Sequence, residues 1–120
     1  MKSQFKTHLE GRYLDDGRYV LSEDLVYFSE LLNKDIIVPK GFETDFASVP
    51  RVPIAYWLFG GKAHHESVVH DYLYRTNPHI CTRRQADNVF KEAMTSRKKG
   101  FFVKGSMWLG VRLGGKSSWK

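Results

Sequence analysis

His70 and Asp71 stand side by side in a stretch free of helix breakers, and Tyr74 follows His70 by about one helical turn. A histidine titrates near neutrality and can take a proton from water. It does so better when a carboxylate fixes its tautomer and supports the imidazolium charge. Asp87, in the next predicted helix, can supply that carboxylate if the two helices form an antiparallel hairpin. Asp71 lies about 100° round the helix from His70, so one of the pair can face the partner helix while the other faces a metal or solvent. The same spacing fits a second reading, in which Asp87 holds a half-buried His70 for structure alone and Asp71 is a solvated acid.

A second constellation is Thr44-Asp45-Phe46-Ala47-Ser48-Val49-Pro50-Arg51, which gathers an acid, two hydroxyls and a guanidinium in one irregular segment. Asp45 is a candidate metal ligand beside Asp71. Arg51 is a candidate clamp for a phosphate or carboxylate, and Ser48 and Thr44 are candidate substrate-binding hydroxyls. Local duties compete with these roles: turn hydrogen bonds, a helix cap, an ion pair. No nucleophile-elbow pattern surrounds Ser48.

His64-His65 raises zinc, but His65 and His70 are five apart rather than the four of a helical zinc pair. A set of His65, His70 and Asp45 is one option on residue type; solvent-facing histidines at a helix start are the other. Cys81 is the single cysteine, which excludes an internal disulfide, and its surroundings fit a small half-buried side chain.

The elements that must position these residues follow from pattern. Phe5, Thr7 and Leu9 alternate with polar residues, and Tyr19-Val20-Leu21 follows the turn signal Asp15-Asp16-Gly17. Leu25-Val26-Tyr27-Phe28 and Asp35-Ile36-Ile37-Val38 read as strands, with Leu31 to Lys34 as the turn between them. Residues 42–46 read as extended after Lys40-Gly41. Residues 63–75 read as a helix ended by Asn77-Pro78. Thr82-Arg83-Arg84-Gln85 is a capping box that starts a second helix, whose apolar face carries Ala86, Val89, Phe90, Ala93 and Met94 and which ends near Lys98-Lys99-Gly100. A third, glycine-containing helix is predicted over 101–113. The class is α+β: a small N-terminal antiparallel sheet or meander followed by two to three packed helices. Residues 1–113 make one domain, and 114–120 are read as a flexible basic end.

Charge is unevenly spread. Residues 1–92 hold 12 Lys/Arg against 13 Asp/Glu, while 93–120 hold seven Lys/Arg and no acid, so the net +6 sits wholly in the C-terminal part. Such a block suits nucleic acid or an anionic surface through residues 97–120, or a solvated tail. Met1 to Lys6 leads into no apolar run, and the most apolar stretch, 101–113, is too short to span a bilayer. The expectation is a soluble protein located in a cytoplasm.

The ordered series of the Thr44 to Arg51 segment, His70-Asp71-Tyr72-Leu73-Tyr74, Arg84, Ala86-Asp87, Phe90 and Ala93-Met94 resembles the domain of unknown function 1353 family, whose members are common in tailed phages and prophages. The resemblance implies a phage or prophage origin, the host cytoplasm or the virion as location, and other phage structural proteins or a host protein as partners. It supplies no activity. A local likeness links His70-Asp71-x-x-Tyr74 and Asp87 to secreted and viral phospholipases A2 over about 35 residues. By that likeness His70 activates water, Asp71 binds calcium, Asp87 holds the histidine and Tyr74 braces the pair. This chain departs in having no disulfides and only Tyr56 to Gly61 as a candidate calcium loop.

Three functions are thus in play. One is a small hydrolase using a His–Asp dyad and a divalent cation (calcium or zinc) on lipid, phosphodiester or cell-wall material. Another is a non-catalytic virion, tail-associated or host-interaction protein. The third is binding of nucleic acid or an anionic surface.

Overall fold

The computed structural model describes residues 2–16, 18–44 and 64–97, together with 105, 108, 109, 111–113 and 119. Its described elements run β1 (Gln4–Phe5), β2 (Gly11–Tyr13), β3 (Tyr19–Leu21), β4 (Leu25–Ser29), β5 (Lys34–Val38), β6 (Glu43–Thr44), α1 (His64–Arg75) and α2 (Arg83–Ser96). Residues 105, 108, 109 and 111–113 are helical and mark a third helical stretch. The architecture is α+β, with the strands N-terminal to the helices.

The strands form two small antiparallel sheets, ordered β1-β4-β5 and β2-β3-β6, where one sheet or meander was expected. Each sheet is a sequential hairpin that takes its third strand from elsewhere in the chain. In the first, Leu25 pairs with Val38 and Tyr27 with Ile36. This register sets all four side chains on the buried face, because side chains alternate with a period of two. Asn33 closes the connecting turn in the left-handed region at φ 53°, a conformation asparagine tolerates better than most residues. Gly41, at φ 89°, makes the turn into β6.

The sheets bury Leu21, Leu25, Tyr27, Ile36 and Val38 against Val68, Val69, Leu73 and Tyr74 of α1 and Ala86, Val89 and Ala93 of α2. Glu92 ties α2 to the first sheet: its carboxylate accepts from Tyr27 Oη at 2.7 Å, Ser29 Oγ at 2.8 Å and the Leu31 amide at 2.8 Å.

The helix bounds match the sequence pattern. The capping box at the start of α2 is present in full: Thr82 Oγ1 accepts from the Gln85 amide, and the Gln85 side chain accepts from the Thr82 amide. Such a cap contributes about 1 kcal/mol. Asp87 joins the apolar face of α2 as a buried residue. Contacts between Glu66 and Arg97, His70 and Asp87, and Tyr74 and Arg83 advance along α1 as they retreat along α2, so the pair is an antiparallel hairpin. No described helix is long and apolar enough to cross a membrane.

Candidate functional site: a buried His–Asp–Tyr relay

Packing sends His70 and Asp71 in different directions. His70 faces α2 and is fully buried, between the rings of Tyr74 at 4.3 Å and Phe90 at 4.9 Å. Its Nε2 lies 2.7 Å from Asp87 Oδ1. Tyr74 Oη donates to the same oxygen at 2.5 Å. Arg112 Nη1 donates to Asp87 Oδ2 at 2.9 Å. A carboxylate that receives three donors inside the protein is satisfied in the way burial of a charge demands.

The electrostatics fix the protonation states. Burial pushes the Asp87 carboxyl up, but hydrogen bonds from His70, Tyr74 and Arg112 together hold it below the usual carboxylate value. Burial pulls His70 below its ordinary value of 6.5, and Asp87 only partly opposes this. At neutral pH the histidine is therefore neutral and the aspartate ionised. An ionised carboxylate can only accept, so the imidazole proton sits on Nε2 and the lone pair on Nδ1. Burial and the Asp87 bond raise the Tyr74 phenol, which stays protonated and donates.

Arg83 extends the relay. Its Nε donates to Tyr74 Oη at 3.2 Å, and its Nη2 donates to the Val111 and Arg112 carbonyls at 3.0 and 2.8 Å. Trp119 meets the Tyr74 ring edge-on at 5.1 Å and stacks on His79 at 3.8 Å. This residue lies inside the stretch 114–120, expected to be a loose end.

Asp71 faces the second sheet. It is buried rather than solvated, and its Oδ2 accepts from Thr44 Oγ1 at 2.6 Å and from Arg75 Nη1 at 3.0 Å. Arg75 also donates to the Glu43 carbonyl at 2.6 Å and lies over the Phe42 ring. Thr44 and Asp71, predicted for separate roles, are thus direct partners. Asp45, Ser48 and Arg51 lie outside the described residues.

The solvent-facing option for His65 is corrected by its contacts: it is half-buried, accepts from the Leu9 amide through Nε2 at 3.1 Å and meets Phe5 edge-on. Among the described residues no three His, Cys, Asp or Glu side chains gather into a metal-holding group. Burial pushes the Cys81 thiol up to about 11, so little thiolate exists near neutrality.

Arg83 and Arg112 are site residues the sequence reading missed. Arg83 had a usable signal, being one helical turn before Asp87. Arg112 had none, since it was grouped with cations for an anionic partner.

His70 and Asp87 couple folding to pH in the same direction. His70's contribution is full above about 6.5, the unfolded value, and is lost as pH falls from there through its lower folded value. Asp87 contributes above about 3.9, its unfolded value, and its share is lost as pH falls through its depressed folded value. Urea unfolding at pH 7.5 and 5.5 is expected to show lower stability at 5.5, with a smaller drop in His70→Gln. An equal drop in both proteins would contradict the assignment of a buried neutral His70.

A family model described as "Protein of unknown function (DUF1353)" matches residues 19–111. The chain belongs to that family. No curated protein and no solved structure matches it.

Proposed function

We propose that this protein is a phage- or prophage-encoded hydrolase in which His70 is the general base. The observation that carries this reading is the Nε2 contact of a neutral His70 with an ionised Asp87, braced by Tyr74. In that state Nδ1 can take a proton from water as the hydroxyl oxygen attacks an ester carbonyl or phosphorus centre. The proton then passes to the departing alcohol oxygen, so one water is consumed and one acid and one alcohol are released. Asp87 holds the ring orientation and offsets the transient imidazolium charge.

Asp71, with Asp45 next in sequence to its partner Thr44, supplies the proposed carboxylates for a divalent cation, with calcium favoured by an all-oxygen set. A cation there would compete with the Arg75 guanidinium for Asp71. Such an ion would polarise the scissile carbonyl or phosphoryl oxygen. Thr44, Ser48 and Arg51 are proposed to orient the substrate. Lipid esters are the first substrate class by likeness to phospholipases A2, with phosphodiesters and cell-wall material as the others.

The test is a screen of purified protein, with calcium and with zinc, against phospholipid vesicles, a phosphodiester and cell-wall sacculi. Turnover of one class is expected. No turnover on all three would overturn the reading.

A second reading draws on one observation: His70, Tyr74 and Asp87 are each 0% exposed. In it the relay only joins the helices to residues 111 and 112, and the protein is a non-catalytic virion, tail-associated or host-interaction component. His70→Ala would then unfold the domain. Detection in purified virions by mass spectrometry would support the particle-bound form, and a protein confined to the host cytoplasm would oppose it.

A further inference from the structure

A cleft of about 650 Å³ opens where the start of the chain, the turn after β4 and the last turn of α2 meet. Its lining is Lys2, Ser3, Glu30, Glu92, Thr95 and Ser96. None of these belongs to the relay or to the Asp71 cluster. The volume lies within the range of small-ligand sites.

The hydrogen-bonding capacity left over in this cleft is almost all of one kind. Thr95 Oγ1 donates to the Lys91 carbonyl at 3.0 Å and Ser96 Oγ to the Ala93 carbonyl at 2.7 Å, so each hydroxyl has spent its proton and keeps lone pairs. Glu92 takes donors from Tyr27, Ser29 and the Leu31 amide, and its carboxylate still has acceptor capacity. Among the described residues, the Glu30 carboxylate and the Lys2 ammonium make no hydrogen bond or ion pair, with each other or elsewhere. Helix α2 ends here as well, and its last turn holds no Lys or Arg to offset the negative end of the helix dipole. Two carboxylates, two spent hydroxyls and a helix C-terminus favour a cation with several N–H donors. The lone ammonium of the lining favours an acid group on the same ligand.

We propose that this cleft binds a basic amino acid of the arginine type, with its guanidinium at Glu30 and Glu92 and its carboxylate at Lys2. A guanidinium brings more N–H donors than an ammonium, in a planar fork that suits carboxylates. A neutral sugar would bring donors but answer neither charge. The proposal stands apart from the hydrolase reading, since it shares no residue with it and requires no turnover.

Calorimetric titration of the full chain tests it, using L-arginine, citrulline (the neutral isostere of arginine) and agmatine (arginine without its carboxylate). Saturable binding of L-arginine is expected, with citrulline roughly tenfold weaker or more, the worth of a hydrogen bond to a charged group. Glu30 and Lys2 are exposed, so Glu30→Gln and Lys2→Gln are expected to leave the circular dichroism spectrum unchanged. Glu30→Gln should weaken arginine and agmatine alike by about two- to fivefold, the range of an exposed ion pair. Lys2→Gln should weaken arginine by a similar factor and leave agmatine unchanged, because only arginine carries the group that Lys2 holds. No saturable binding of arginine, citrulline binding as tight as that of arginine, or an unchanged arginine affinity in either variant would overturn the proposal. The titration is scored without reference to hydrolysis, so a failed substrate screen leaves this result readable.

Discussion

Asp87→Ala is expected to lower stability by about 3–5 kcal/mol, the usual cost of removing one partner from a buried charged pair. For a domain of this size that is a fall of roughly 10–20 °C in melting temperature. Asp87 is 0% exposed and accepts from His70, Tyr74 and Arg112. Alanine would leave a buried phenol hydroxyl without its acceptor and a partly buried guanidinium without its counter-charge. Because the three donors come from α1 and from residue 112, the loss should spread to both. Adding Arg112→Ala to Asp87→Ala should therefore cost less than the two single effects together, since the pair shares one interaction. Denaturant unfolding of the two single variants and the double variant measures this. A cost below about 1 kcal/mol for Asp87→Ala would fall in the range of ordinary surface substitutions and would show that the relay does not hold the fold.

His70→Gln separates chemistry from structure. Glutamine retains an N–H that can donate toward Asp87 but has no basic nitrogen. If His70 is the base, kcat on the substrate found should fall by about 10²–10⁴-fold, with KM little changed. That corresponds to about 3–5 kcal/mol in the barrier. Stability should change far less than in Asp87→Ala, and the acid limb of the wild-type pH–rate profile should flatten in the variant. Full activity in His70→Gln would remove His70 from the reaction. Loss of activity together with loss of the folded state would favour the purely structural role.

Much of this arrangement was legible in the chain because it is local. The Thr82–Gln85 cap, the apolar face from Ala86 to Met94 and the end of α1 before Asn77-Pro78 all follow from spacing within one or two helical turns. The His70–Asp87 contact needed one further step, an antiparallel hairpin, which the short connection after α1 favours.

The illegible parts are long-range. Strand β1 pairs with β4 rather than with its neighbour β2, a choice that no pattern of two to five residues encodes. Glu92 receives three donors from β4 and the turn after it, which no local spacing announces. Arg112 reaches Asp87 across 25 positions. Asp71 was read as facing a metal or solvent, yet it is buried against Thr44, which arrives from β6, 27 positions earlier. Such polar partners are chosen by packing once the apolar groups have fixed the layers, so local periodicity does not announce them.

The proposed chemistry requires one state of His70: an imidazole that is neutral at pH 7, protonated on Nε2 by its bond to an ionised Asp87, with the lone pair on Nδ1. Nitrogen-15 NMR of histidine-labelled protein, with His70 assigned by comparison with His70→Gln, reads that state directly. The result predicted is a protonated Nε2 and an unprotonated Nδ1 at pH 7 and above. An imidazolium at pH 7, or a proton on Nδ1 instead, would contradict it.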